Sequence, residues 1–478
     1  MKFVIKVTFV IFILINISFP QQILTLNDAL SIALNKSYDI KSAELALTNT
    51  QKSLEAARLG LMTSINMDFV LPNYSRTLSN QFDPITGSQQ FFDYGYTTYE
   101  SRLYFTQPLI FTNGTFTLNG QLWRRSQFSS GRQIPEDYYS NITFSYQQPL
   151  FAFNSLRATL NRAEINYEKA QRNYSSASQD IIYNVESGFY ILYQARENVL
   201  IAREKVKQTE SSFQTAQNKF KAGLIAEVEA LQLEVDLASS KNDLINSERN
   251  YIEANNNFKL LIGLSLNDNI EVAAKIEYNP VSINLTEAIN YALENRGELK
   301  NSEDDIELAE MSVDEINSQG NITALITANY GINKDDYSFS DIFHQFDGSR
   351  SVAFTIHVPV FDWGENNRKV EAAEANLELN KLTLKNQKEQ VEKEVMEAVN
   401  RINSAKARVE ALSKSILLAK KSFEISQQRF QAGTITSFEL QQMQLRLTDA
   451  KINSLNALID YKLSLADLNR KTLHDFSK

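Results

Sequence analysis

The chain of 478 residues contains no cysteine, 15 glycines and 8 prolines. Without cysteine, neither a disulfide nor a lipidated N-terminal cysteine is available. Glycine and proline most often interrupt helices and strands, so their scarcity predicts long elements joined by few turns. After the first 20 residues no apolar run reaches the length of about 18 that a transmembrane helix needs. Any contact with a membrane is therefore predicted to be made by strands.

The net charge is modest, and few residues are suited to catalysis or metal binding. The formal net charge of -9 is spread along the chain, and a basic patch is lacking, which argues against a nucleic-acid partner. The three histidines are His344, His357 and His474. No nucleophile lies near a base at a recognisable motif spacing. The sequence therefore predicts no enzyme, no metal site and no cofactor.

Residues 1–20 have the features of a secretory signal peptide. Lys2 and Lys6 give a basic start, and Val7–Ile15 is an apolar core too short to span a bilayer. A short N-terminal anchor is the alternative, because no clear cleavage site precedes Gln21. The favoured prediction is an exported protein.

The remaining sequence repeats one plan twice, first in residues 21–270 and again in residues 271–478. Each half opens with a related stretch, LTLNDALSIALNKSYDIKSA (24–43) and INLTEAINYALENRGELKNS (283–302). Each half later contains the pentapeptide F-x-A-G-[LT]. Matches at a fixed offset are the sequence signature of an internal repeat, so two structural repeats per chain are predicted.

Both repeats are predicted to contain the same elements, because helical periodicity and period-two alternation follow one another in the same order. In the first repeat we predict a helix over 26–61, strands over 63–72 and 140–151 with an inserted segment at 83–132, a long helix over 154–220, a tip turn at 221–226 and a helix over 227–262. In the second repeat we predict a helix over 286–318, strands over 321–332 and 350–361, a long helix over 365–430, a tip turn at 431–436 and a helix over 437–472.

The two long helices share a heptad of apolar residues with small partner positions. The heptad positions are Val185, Leu192, Val199, Val206, Phe213 and Phe220 in the first helix and Val395, Ile402, Val409, Ile416, Phe423 and Phe430 in the second. A heptad sustained over this length predicts a left-handed coiled coil. Plain amphipathic helices on a globular core are the alternative.

The alternating strands predict a sheet with one apolar and one polar face. The residues predicted for the polar face are Asn66, Asp68, Asn141, Thr143, Ser145, Thr323, Thr327 and Asn329. Because the smallest membrane barrels need about 8 strands, several chains would have to share one barrel. A soluble sandwich is the alternative. The inserted segment either adds two strands, giving six per chain, or extends the first hairpin outside the cell.

Taken together, these motifs resemble those of TolC-type outer-membrane efflux proteins, over nearly the whole chain after the signal peptide. The motifs are L-x-x-A-[LI]-x-x-A-L (26–34, 285–293), [QV]-P-[LV]-F at strand ends, and the two F-x-A-G-[LT] turns. The resemblance implies a mainly α fold with a membrane β-barrel: a long coiled-coil α-barrel forming a periplasmic tunnel, and a β-barrel shared by a homotrimer.

The resemblance also implies a function. The chain would be the passive exit duct of a tripartite efflux or type I secretion system. It would lie in the lipid of the cell outer membrane, extend into the periplasm, and dock to a periplasmic adaptor and an inner-membrane transporter. A periplasmic coiled-coil adaptor is an alternative, but it would need a single hairpin. A structural coiled-coil surface protein is another, and it leaves the alternating strands unexplained.

By the same resemblance the two glycine turns are periplasmic tips that meet the adaptor, at Gly223, Leu224, Gly433 and Thr434. Family members often carry acidic rings just past the second tip. The matching positions are Glu439 and Gln442, so one ring is neutral here. An acid–arginine link that helps to hold the family's closed state corresponds to Glu229 and Ile435, so that ion pair cannot form.

Overall fold

A computed structural model describes residues 22–83, 85, 87–129, 132–273 and 276–476. The predicted signal peptide lies outside the described residues. The chain divides into two compact units. One contains the residues up to Leu45, Asn173–Arg296 and the residues from Lys388 onward, and the other contains Ala46–Arg172 and Gly297–Gln387. Each unit thus combines segments of both predicted repeats.

Eight α-helices account for most of the described residues. They are α1 (Leu26–Lys36), α2 (Tyr38–Leu59), α3 (Ser155–Lys221), α4 (Glu227–Leu261), α5 (Leu285–Asn295), α6 (Gly297–Gln319), α7 (Glu365–Gln431) and α8 (Ser437–Thr472). Within the described part of the chain, none of these helices is both long and apolar enough to cross a membrane.

The single helices predicted over 26–61 and 286–318 are wrong, because each is broken once. Ser37 has an extended backbone, and its Oγ accepts a hydrogen bond from the Ile40 backbone N–H at 3.3 Å. Ser37 therefore caps α2 instead of continuing α1. In the second half the break falls at Arg296, which is also extended and donates to Glu394 at 3.0 Å.

The heptad positions of the long helices are largely buried. Val185, Leu192, Val395, Ile402 and Phe430 are each at most 2% exposed. Phe220 is an exception, with 39% of its surface exposed. Burial of residues spaced by seven is what packing of neighbouring long helices requires.

Eight strands form two sheets among the described residues. The strands are β1 (Gln22–Leu24), β2 (Ser64–Asp83), β3 (Ser88–Leu109), β4 (Gly114–Ser129), β5 (Arg132–Leu150), β6 (Ile270–Val272), β7 (Thr323–Asp336) and β8 (Asp347–His357). β1 and β6 make a short parallel pair, and the other six strands form an antiparallel sheet in the order β2-β3-β4-β5-β7-β8.

The inserted segment both adds strands and lengthens the first hairpin. β3 and β4 lie inside the six-stranded sheet. The turn between them is at the end of the sheet where α3 begins, because Asn154 Nδ2 donates to the Ile110 carbonyl at 2.7 Å. In addition, Ser88–Asp93 of β3 pairs with β2, whereas pairing with β4 starts only at Tyr94.

The strand predicted over 63–72 is too short. β2 continues to Asp83, past a shift in register between Val70 and Asn73. Pro72 lies within this bulge, where a residue without an N–H is tolerated. The bulge shifts the period-two alternation by one residue, and for this reason the sequence pattern predicts a strand end near Pro72. At the other edge, β8 ends at His357, before Pro359.

Candidate functional site

The two tips are tight turns that follow the long helices. Gly223 and Gly433 have φ values of 72° and 76°, in the left-handed region that favours glycine. At the first tip the Leu224 N–H donates to the Lys219 carbonyl at 2.8 Å, and at the second the Thr434 N–H donates to the Arg429 carbonyl at 2.9 Å. Each long helix therefore ends in a Schellman turn with glycine at its left-handed position.

The predicted docking residues at the tips are accessible. Leu224 is 73% exposed, and Gly223, Gly433 and Thr434 are also exposed. A side chain added at Gly223 would meet no atom within 4 Å, so the first turn is open on that side. Each turn is therefore accessible around its glycine, because few protein atoms lie near the place where a side chain would be.

Behind the turns, an apolar cluster packs the two helical hairpins against each other. Its buried members are Ala216, Ala230, Leu233, Phe423, Phe430, Leu440 and Leu447. Ile435 packs against this cluster as well. Ile435, the residue at which the resemblance implies an arginine in relatives, therefore contributes to packing.

A different polar link joins the tips. Lys219, near the end of α3, donates through Nζ to the Phe430 carbonyl in the last turn of α7. The same ammonium lies 4.7 Å from the centre of the Phe430 ring. A cation is favoured at the carboxyl end of a helix, where carbonyl groups lack partners. Sequence reasoning missed this residue, because its partner lies 211 positions away.

The three predicted entrance residues have different environments. Glu439 forms a capping box with Thr436: its Oε2 accepts from the Thr436 N–H at 3.0 Å, and the Glu439 N–H donates to Thr436 Oγ1 at 3.2 Å. Glu439 and Glu229 both line a cleft of about 530 Å³ between the tips, together with Lys219, Leu224, Phe430 and Thr434. Gln442 is exposed on α8.

Further from the tips, polar side chains join α8 to the first hairpin. Gln441 Nε2 donates to Asp236 Oδ1 at 2.6 Å, and the buried Gln444 Nε2 donates to Thr209 Oγ1 at 2.9 Å. Burial raises the pKa of Asp236, while hydrogen bonds from Gln232 and Gln441 oppose that rise. These bonds fix the register between the hairpins, because a shifted α8 would leave buried polar groups unsatisfied.

The six-stranded sheet has one apolar and one polar face, since directly opposed residues of antiparallel strands point the same way. One row across the apolar face is Ile65, Phe105, Leu118, Phe144 and Tyr330. The adjacent row on the other face is Asn66, Tyr104, Asn119, Thr143 and Gly331. The residues predicted for the polar face share it.

Two ion pairs lie on the polar face. Arg125 forms an ion pair with Asp137 at 2.6 Å and lies 4.7 Å from the Trp123 ring. Arg102 binds Glu100, with a second contact of 2.7 Å between Nη2 and Oε2. Ion pairs on one face and, on the other, rows of apolar side chains from the helix end of the sheet to the level of Arg124 are what a wall between water and lipid requires. In the part of the chain that the structure describes, no side-chain cluster suits a metal ion.

Long helical hairpins with exposed tips, joined to a sheet of this kind, define the class of outer-membrane channel proteins. The chain belongs to the outer membrane efflux protein family, whose sequence model matches residues 113–264 and 288–472. The outer membrane protein TolC of Vibrio cholerae is 23% identical over 343 residues, which cover 68% of this chain and 75% of TolC.

Solved structures have the same fold. The CmeC outer membrane channel of Campylobacter jejuni aligns with a TM-score of 0.70 at 16% identity, over 94% of this chain and 85% of CmeC. The MtrE outer membrane channel of Neisseria gonorrhoeae, in its open state, aligns with a TM-score of 0.68 at 16% identity, over 94% of this chain and 89% of MtrE.

The protein is therefore an efflux duct of the outer membrane that extends into the periplasm. Proteins of this family are passive channels and not enzymes, which agrees with the prediction from the sequence. The predicted TolC-type resemblance is confirmed by the family match.

Proposed function

We propose that three copies of the chain form the duct, and that its tips receive a periplasmic adaptor that connects it to an inner-membrane transporter. The main support for a trimer is that the six-stranded sheet has two open edges. Among the described strands, β2 pairs with β3 alone and β8 pairs with β7 alone. An open edge leaves backbone donors and acceptors unpaired, which a hydrocarbon environment does not tolerate.

Pairing β8 of one copy with β2 of the next would remove every edge. With six strands per chain, three copies would give a closed barrel of about 18 strands, which is wide enough for a water-filled lumen. The polar face would then line the lumen, and the apolar face would contact lipid. The inserted segment enlarges the barrel in this arrangement.

An exposed apolar stripe on α4 supports the same assembly. Val228, Leu231, Val235, Ile245 and Ile252 are each at least 52% exposed. Their spacings of three, four, ten and seven place them along one side of the helix. Contact with a helix of the neighbouring copy would bury this stripe and form the periplasmic α-barrel.

The trimer can be tested by migration on a gel without boiling. We expect the wild type to migrate as a trimer from outer-membrane fractions and as a monomer after heating. Val235→Lys should lower the temperature at which the trimer dissociates, because it puts a charge into the stripe. The control is Gln232→Lys, which adds the same charge at an exposed position about 60° from Val235 around the helix and outside the arc of the stripe. A wild type that migrates as a monomer at all temperatures would exclude the assembly.

The tips are proposed as the adaptor site because Leu224 is 73% exposed beside an open glycine turn. Exposed apolar groups on a rigid turn favour contact with a partner helix. Gly433→Trp should abolish efflux while trimers and membrane insertion persist. Gly433→Ala is the control, because alanine would have to adopt the same positive φ but adds little bulk. This variant should keep most of the efflux activity. Normal efflux by the tryptophan variant would argue against docking there.

Glu439 and Glu229 are proposed to shape the periplasmic entrance. Both carboxylates line the cleft between the tips, and three copies would repeat them around the axis. Like charges around a narrow opening attract cations. Gln442 contributes no charge, so we propose a weaker cation preference than a duct with two acidic rings would have.

A further inference from the structure

The outer part of the β2–β3 hairpin carries apolar side chains that the sheet leaves uncovered. Tyr74, Leu78, Phe82 and Phe91 are between 61% and 71% exposed. Leu78 pairs with Asp93, and Phe82 pairs with Gln89. Counting by twos along β3, these positions lie on the same face as Tyr99, which pairs with Arg124 on the apolar face. We call these four side chains the hairpin patch.

The hairpin patch lies beyond the region that lipid chains can cover. Arg76 forms an ion pair of 2.6 Å with Asp93 on the same face, between Tyr74 and Leu78. Closer to the helices, Arg124 and Glu136 form another ion pair of 2.6 Å on this face. Charged pairs of this kind belong at or outside the polar boundary of a membrane. Lipid chains therefore cannot cover the hairpin patch, and a covering surface has to come from protein.

A second aromatic surface occurs in the connection between β7 and β8, residues 337–346. Its exposed members are Tyr337 at 70%, Phe339 at 53%, Phe343 at 47% and Phe346 at 38%. We call this connection the aromatic loop.

The aromatic loop is held in place against the apolar face. Ile342 is fully buried, and its carbonyl accepts a hydrogen bond from Ser140 Oγ at 2.6 Å. Phe339 packs edge-on against Tyr138, with ring centres 5.6 Å apart. Ser140 and Tyr138 alternate with the polar-face residues of β5, so both lie on the apolar face. The loop therefore presents its aromatic rings on the same side of the sheet as the hairpin patch.

Strand lengths bring the two surfaces together when the sheet is closed by further copies. β2 and β8 are the two edges of the sheet. β2 has 20 residues and β8 has 11, so at full overlap nine residues of β2 would remain without a β8 partner. When the helix-proximal ends of the two strands are level, these nine residues are 75–83, which include Leu78 and Phe82. Phe91 lies beside them as the β3 partner of Asn80, and Tyr74 is the last β2 residue that β8 could pair with. The aromatic loop is the segment that joins β8 at this same end.

We propose that the aromatic loop of one copy packs on the hairpin patch of the next copy and so clasps adjacent copies together outside the membrane. This inference rests on the proposed trimer. The partner is a second copy of this chain, because the loop and the patch are at opposite edges of one sheet, on one face and at one end. The ends of the overlapping strands would be covered by aromatic packing where hydrogen-bonded pairing stops.

Cysteine cross-linking tests the clasp without background, because the chain contains no cysteine. In the Leu78→Cys, Phe339→Cys variant, mild oxidation of outer membranes should give covalent dimers and trimers that a reductant separates. The matched control is Thr77→Cys, Phe339→Cys, in which residue 77 points to the opposite face because it neighbours residue 78 in a strand. The control should give little covalent product.

Each outcome bears on the clasp. Trimers that migrate normally but form no cross-link between residues 78 and 339 would overturn it and leave the proposed trimer intact. The absence of any trimer in the wild type would instead overturn the proposed function. If the double variant fails to assemble, co-expressed single variants, each with one cysteine, should form a covalent dimer with each other. Equal cross-linking in the Thr77 control would also overturn the clasp.

Discussion

Replacing Lys219 with methionine should loosen the contact between the two tips. Methionine keeps much of the length and apolar stem of lysine, but it removes the ammonium that donates to the Phe430 carbonyl and lies 4.7 Å from the Phe430 ring. A hydrogen bond from a charged donor contributes about 1.5–3 kcal/mol. A cation over an aromatic ring contributes about 0.5–1 kcal/mol at a partly exposed site.

These two contributions overlap, because one ammonium makes both contacts, so we take about 2 kcal/mol per copy. That free energy corresponds to a change of about 30-fold in the balance between joined and separated tips. In planar bilayers, Lys219→Met should therefore show larger or more frequent openings than the wild type. Lys219→Arg should be intermediate, since a guanidinium can also donate to a carbonyl.

Lys221→Met is the matched control. Lys221 is exposed and belongs to the same last turn of α3, so its loss changes the charge of the tip equally. If Lys219→Met and Lys221→Met conduct alike, the link between Lys219 and α7 does not restrain the tips, and only net charge at the entrance matters. A destabilised trimer in Lys219→Met would count equally against the reasoning, because the link joins segments of one copy.

Three further predictions concern other positions. Glu439→Gln should shift the reversal potential in a salt gradient towards weaker cation preference with little change in stability, because glutamine can also complete a capping box. Tyr461→Phe should lower the free energy of unfolding by about 2 kcal/mol, which thermal unfolding can measure. The reason is that the buried Tyr461 hydroxyl donates to the Asn279 carbonyl at 2.8 Å and accepts from the Val281 N–H at 3.1 Å. Burial raises the pKa of Glu186 from 4.5 to about 7, so wild-type stability should fall as pH rises through this window, whereas Glu186→Gln should lose that dependence in unfolding measured from pH 4 to 8.

The long helices and their turns could be predicted closely from the sequence. The predicted helix ends at 220 and 430 lie one residue before the observed ends at Lys221 and Gln431. The reason is physical: the heptad extends to each end, and a glycine that adopts a positive φ stops the helix at a fixed distance. The heptad and the glycine that ends it are both local features, so the local sequence is sufficient to predict where each long helix stops.

The sheet could be predicted only in part. Alternation is visible in β2 before its bulge and in β7, but Pro72 and the register shift after Val70 conceal the second half of β2. β3 has polar or small residues on much of both faces, as in Thr97, Thr98 and Ser101, so period two is weak there. Its place in the sheet depends on pairing with β2 and β4 along its length. Such pairing is a tertiary property that propensity does not encode.

The candidate site shows a further limit, because the sequence repeat made the two tips seem equivalent. Thr436 caps α8 through its side chain and Glu439, whereas Ala226 at the matching position of α4 makes no side-chain cap. A capping side chain contributes about 1 kcal/mol. The first turn of α4 should therefore open more easily than that of α8. Glu229 is not engaged in a capping box, so its carboxylate is available to the cleft, whereas the Glu439 carboxylate accepts a hydrogen bond from the Thr436 backbone N–H. The first tip is consequently the one we expect to yield first when the entrance opens, although both carry the same glycine turn.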